Sequence, residues 1–96
     1  MNFWQQGDVL LIQTELPKSA KILKGDLVHK GQNHHHRIKG KAKLYKLGEQ
    51  FFVKCDGVCE LYHEEHKSIK LSKGVYEKRI VVEYDHLLEE SRQVID

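Results

Sequence analysis

Gln50-Phe51-Phe52-Val53-Lys54-Cys55-Asp56-Gly57-Val58-Cys59-Glu60-Leu61-Tyr62-His63 is the stretch on which the fold reading turns. Its two arms are strand-like, and Asp56-Gly57 stands between them. Asp-Gly flanked by such runs is the strongest short-range hairpin signal, so the stretch predicts strands over 50–55 and 58–63. Two registers compete. A two-residue loop places Phe51, Val53, Glu60 and Tyr62 on one face. A three-residue loop, with Gly57 in the left-handed conformation, gathers Phe51, Val53, Cys59, Leu61 and His63 on one face, with Lys54 and Glu60 on the other. The second separates apolar from charged side chains better, and such separation normally fixes register. It predicts an inward His63.

Outward from this hairpin, the chain reads as further short strands. Phe3-Trp4 and residues 8–13 give a first, largely buried strand. Residues 14–24 hold the one proline, Pro17, and several lysines, and read as a loop. Residues 26–29 and 34–38 are two strands joined around Gly31, and 41–47 is another, ended by Gly48. Residues 69–71 and 75–84 continue the sheet. The period then changes: Leu87, Leu88, Ser91, Val94 and Ile95 fall on one face of a helix over about 86–95, with Asp85 as its N-cap. The expected fold is therefore all-β and mainly antiparallel: a small barrel or two-sheet sandwich with one C-terminal α-helix, residues 1–96 forming a single domain.

The 96 residues suffice for one hydrophobic core. The formal charge of +2 is too small to argue for nucleic acid by itself, but its distribution is uneven. Residues 18–46 hold nine Lys or Arg against one acid, Asp26. No apolar run is long enough to span a membrane, and no signal peptide begins at Met1. Cys55 and Cys59 do not form the framework of a secreted disulfide protein. The expectation is a cytoplasmic chain with no membrane partner, its cysteines packed as small hydrophobes.

Seven residues are histidine, and two pairs of them carry the chemistry. His34 and His36 flank His35, and residues two apart on a strand share a face. His63 and His66 enclose Glu64 and Glu65. Imidazole is the commonest protein metal ligand, and two pairs from separate segments can meet on one ion. The metal-ligand candidates are thus His34, His36, His63 and His66, with Glu64 or Glu65 as a further ligand or catalytic base. Such a donor set suits one transition-metal ion: Zn, Fe, Ni or Mn. Three protein ligands would leave a position open for a small-molecule ligand and for Lewis-acid chemistry, as in a metal-dependent enzyme or small-molecule sensor. Four would make the metal structural, as in an interaction protein. The alternative is a nucleic-acid-binding surface built from Lys30, Arg37, Lys39, Lys41 and Lys43. In that reading the histidines are incidental, or cut RNA by general acid and base catalysis.

These same motifs carry a resemblance. Residues 6–11, the run 31–38 with its His34-His35-His36, the segment Leu61 to His66, residues 69–76 and Glu83-Tyr84-Asp85 together resemble a family of small uncharacterised proteins from bacteria and phages. The resemblance covers nearly the whole chain and implies a folded stand-alone domain, with no activity attached. A partial resemblance to the cupins, small metal-binding β-barrels, rests on His34-His35-His36 and the Ser72-Lys73-Gly74 turn. Gly40 and Lys41 stand where the cupin glutamate would lie, and Glu77 where its last histidine would.

Overall fold

Two long strands carry the molecule: β5 (His35–Leu47) and β6 (Gln50–His63), joined through Gly48-Glu49. Gly48 has φ 60°, which suits the first position of a two-residue hairpin loop. The computed structural model describes residues 3–31 and 34–81, and the backbone of two short strands at 83–85 and 90–92. The other strands are β1 (Phe3–Gln6), β2 (Val9–Thr14), β3 (Lys21–Leu23), β4 (Leu27–Lys30), β7 (Ile69–Leu71), β8 (Gly74–Ile80), β9 (Glu83–Asp85) and β10 (Glu90–Arg92).

The expected hairpin at Asp56-Gly57 does not form. Asp56 and Gly57 lie inside the single strand β6, and the hairpin loop is Gly48-Glu49 instead. The pairing with β5 runs from Leu47↔Gln50 to His36↔His63, interrupted once, where Gly40↔Cys59 is followed by Ala42↔Cys55. The extra residues of β6 at that break, 56–58, form an irregular bulge. The physical reason lies in backbone hydrogen bonds. A local hairpin pairs two six-residue arms with each other alone, whereas the long strand pairs both arms with β5 and keeps its other edge for β8 and β7. The strand segments expected at 34–38 and 41–47 merge into β5 for the same reason. Gly40 makes the bulge passable: its φ is 105°, and a Cβ there would lie 2.6 Å from the Val58 carbonyl oxygen.

All main-sheet pairs are antiparallel, in the order β1-β2-β8-β6-β5-β3, with β4 on β5 and β7 on β6. This path does not close. Among the described residues the molecule is one open eight-stranded antiparallel sheet with a separate β9–β10 hairpin, so it is all-β as expected but does not close into a barrel. The segment expected to be loop over 14–24 contributes β3. Most of the expected helix, 86–89 and 93–95, lies outside the described residues. Its middle, Glu90–Arg92, pairs with Glu83–Asp85 as a strand.

Alternation along β6 sends Val53, Cys55, Cys59, Leu61 and His63 inward. They meet Val9, Leu11, Val28, Ile38, Leu44, Leu71 and Tyr76 in the core, where the Trp4 ring packs edge-on against Tyr76 at 5.2 Å. Each fully buried Val or Leu contributes about 1.5–3 kcal/mol. Inward placement of His63 holds, although the turn argued for it does not.

Candidate metal centre

Gln6, Asp8, His36 and His63 are the buried polar side chains of the described residues, and they converge at one end of the sheet. Gln6 ends β1 and Asp8 is the second residue of the β1–β2 turn, after Gly7 with φ 60°. Antiparallel register explains the rest. His36 stands opposite His63 on β6 and opposite His29 on β4, so both neighbours of β5 set an imidazole beside it. The His63 ring centre lies 4.4 Å from that of His36, 4.4 Å from His66 and 5.7 Å from His34. The His36 ring is 6.3 Å from His66 and 5.9 Å from His29. All four histidines singled out in the sequence are brought together, and His29 joins them. His35 alternates to the other face, where its Nδ1 is buried without a hydrogen-bond partner among the described residues.

Hydrogen bonds give each ring a different role. The Gln6 carboxamide donates through Nε2 to the carbonyls of Leu61 (2.8 Å) and Lys67 (2.9 Å). Its Oε1 can then only accept, so His36 donates from Nδ1 across 2.9 Å. That bond fixes the neutral tautomer and leaves a lone pair on Nε2. This Nε2 faces Asp8 Oδ1 at 3.3 Å, and the other Asp8 oxygen lies 3.4 Å from His29 Nε2. Burial, reinforced by the neighbouring His63, pushes the His36 pKa down to about 4. Burial also lowers His29, against the pull of Asp8. At neutral pH the His36–Asp8 contact is therefore no ordinary ion pair.

His63 accepts at Nδ1 from the backbone N–H groups of Glu65 (3.0 Å) and His66 (3.2 Å), so its neutral ring carries the proton on Nε2. Burial and then the charges of His66 and His34 lower its pKa. His34 is the reverse case. Its Nδ1 meets Glu64 Oε2 at 3.0 Å and its Nε2 meets Glu65 Oε1 at 2.7 Å. The hydrogen bond to Glu64 is the largest cause of its raised pKa. Glu64 and Glu65 thus clasp His34 at the exposed rim. The His66 ring nitrogens carry no hydrogen bond to a described residue. As the side chains stand, no three His, Cys, Asp or Glu donors among the described residues have the geometry to hold a metal ion.

The remaining candidates lie elsewhere. Cys55 and Cys59 are free and buried in the core, where burial pushes the Cys55 thiol up. Lys30, Arg37, Lys39, Lys41 and Lys43 are exposed. Arg37 pairs with Asp26 at 2.7 Å, while Lys39 lies 3.9 Å over the Tyr62 ring and opposite Glu60. A cleft of about 350 Å³ lined by Ser19, Lys21, Leu23, Lys46, Leu47 and Gly48 sits at the far end of β5 from the histidines. His86 lies outside the described residues.

Residues 5–81 match a family described as a domain of unknown function, DUF8820. The chain belongs to this family. No curated protein and no solved structure matches it, and the cupin resemblance gains no support from the open sheet or from these comparisons. The DUF8820 span covers the whole site, from Gln6 to Lys78, and ends before β9.

Sequence reasoning missed four parts of this DUF8820 site: Gln6, Asp8, His29 and Lys78. The last donates from Nζ to the Val28 carbonyl at 3.1 Å, tying β8 to β4. One signal was present. Gln6-Gly7-Asp8 sets polar residues around a glycine between two apolar runs, which marks a hairpin turn. Nothing local marks His29, whose partners come from registers 21 residues earlier and seven later.

Proposed function

We propose that the histidine cluster binds one divalent transition-metal ion, of the Zn, Fe, Ni or Mn class, and that this is the function of the domain. The observation that carries the reading is the convergence of His34, His36, His63 and His66 from the start of β5, the end of β6 and the residues beside them, with ring centres 4.4–6.3 Å apart in the pairs that touch. Two imidazoles bound tetrahedrally to one ion at about 2.1 Å have ring centres roughly 5 Å apart. His36 and His66 each keep a ring nitrogen with a free lone pair. His34 joins the ion only by releasing Glu64 or Glu65, and His63 only by turning Nδ1 away from two backbone amides. Fewer than four imidazoles on the ion leave a position for a small molecule, which suits a metal-dependent enzyme or a sensor.

The basic surface supports the nucleic-acid alternative less well. Asp26 neutralises Arg37, Glu60 faces Lys39, and Asp56 lies 3.8 Å from Lys54, which pairs with Lys43.

Elemental analysis of protein purified without an affinity tag tests the reading, beside a His63→Ala, His66→Ala double variant. About one metal ion per chain, lost in a variant that keeps its β-type circular dichroism, is the expected result. A metal-free, folded protein that takes up none of the four ions on dialysis overturns it.

A further inference from the structure

At the end of β5 away from the histidines, the inner face of the sheet carries charge where the core would otherwise continue. Lys21 on β3 stands directly opposite Lys46 on β5. Two residues along, on the same face, Leu23 meets Leu44 against the core. We propose that the cleft at this end binds a small organic acid, its carboxylate held between Lys21 and Lys46 and its apolar body against Leu23 and Leu47. The site is separate from the histidine cluster and independent of the metal reading.

The cleft has the size and lining of a ligand site. Its volume is about 350 Å³, and small-molecule sites span about 300–1,000 Å³. Leu23, Leu47 and the methylene stems of the two lysines give it apolar walls, with the ammonium groups free to meet an anion. Ser19 adds a hydroxyl donor, delivered by a turn in which the Ala20 N–H donates to the Pro17 carbonyl at 3.1 Å.

Charge selects the ligand. Like charges directly opposite each other on paired strands are destabilising. The same cross-strand row continues from Lys46 to Phe51 and on to Lys78, whose Nζ lies 4.5 Å over the Phe51 ring. Burial is the largest cause of the lowered Lys78 pKa, and the charge of Lys46 adds to it. Among the described residues neither Lys21 nor Lys46 forms an ion pair, and Glu49 in the adjoining loop forms none with them. A lysine on an edge strand discourages pairing with other chains, which accounts for Lys21 on β3. It does not account for Lys46, because β5 has a strand on each side. A bound carboxylate relieves the repulsion, and the leucines favour an anion with an apolar body over a bare inorganic one.

Proton–nitrogen correlation spectra of the full chain, titrated with octanoate, test the proposal. Saturable shifts at the amides of Ser19, Lys21, Leu23, Lys46, Leu47 and Gly48, weakening with added salt, are the expected result. Octanamide, with the same chain and no charge, binds at least about fivefold more weakly, as does octanoate to a Lys21→Gln, Lys46→Gln double variant. That variant unfolds in urea at or above the wild-type midpoint, because it loses the opposed charges. Shifts that are absent or confined to other residues overturn the site. Equal affinity for octanamide, or wild-type affinity in the folded variant, overturns the role of the lysines. Inorganic phosphate binding as tightly as octanoate overturns the apolar body, and a lower urea midpoint overturns the repulsion. The octanamide comparison uses the wild type alone, so it stands whether or not the variant folds.

Discussion

His34, just before β5, and His36, inside it, lie two residues apart and meet the same neighbour, His63, yet the molecule uses them in opposite ways. His34 sits at the rim with a carboxylate on each nitrogen, an arrangement that favours the charged ring. His36 is sealed inside, held neutral by burial, with one nitrogen assigned to Gln6 and the other aimed at Asp8. The pair shows that clustering of histidines alone does not define a metal centre. What each ring nitrogen touches decides whether it can offer a lone pair. By that measure the outer histidine is tied to Glu64 and Glu65, and the inner one is the better placed of the two to serve the metal site proposed above.

The sharpest way to break this contrast is to remove the residue that sets the inner tautomer. Gln6→Leu leaves the Leu61 and Lys67 carbonyls and the His36 Nδ1–H without partners, and should cost about 2–4 kcal/mol in urea unfolding. Retention of full stability would show that Gln6 does not hold the inner ring. Next comes the bend that lets β5 and β6 pair from end to end. Gly40→Ala meets both an unfavourable φ and the Val58 carbonyl, and should lose about 1–3 kcal/mol by the same measurement. An unchanged midpoint would mean that the bulge relaxes freely.

A nuclear magnetic resonance titration of the metal-free protein then compares the rings directly. With His34 raised above its ordinary value and His36 lowered to about 4, falling pH should protonate His34 first and His36 last. The reverse order would dissolve the distinction. The smallest effect belongs to the rim. Glu64→Gln should move the His34 titration down towards the ordinary histidine range, while the urea midpoint barely moves, because exposed pairs contribute little. A larger loss of stability would make the His34 clasp a structural element.

Much of this arrangement was legible in the sequence wherever local pattern and burial agree. Alternation in Val53, Cys59, Leu61 and His63 marks the inner face of β6, and the two-residue spacing places His34 and His36 together. The Asp56-Gly57 turn misled because a strong local signal was outweighed by non-local pairing: both arms of β6 hydrogen-bond to β5, at partners 13 to 27 residues earlier over Cys55↔Ala42 and His63↔His36. Asp8 and Gln6 escaped notice for the same reason. Neither has a metal-like spacing to the histidines, and only the return of the β1–β2 turn onto the end of β6 brings them into contact. Residues that act through tertiary register leave little trace in linear spacing.

The central claim, that His36 is a neutral ligand with a free Nε2, is tested most directly by nitrogen-15 spectra of the histidine rings with and without one equivalent of zinc. The account predicts a His36 ring protonated at Nδ1 at neutral pH, whose Nε2 resonance moves on zinc addition more than the ring resonances of His34 do. A His36 ring protonated at Nε2, or one indifferent to zinc, would contradict it.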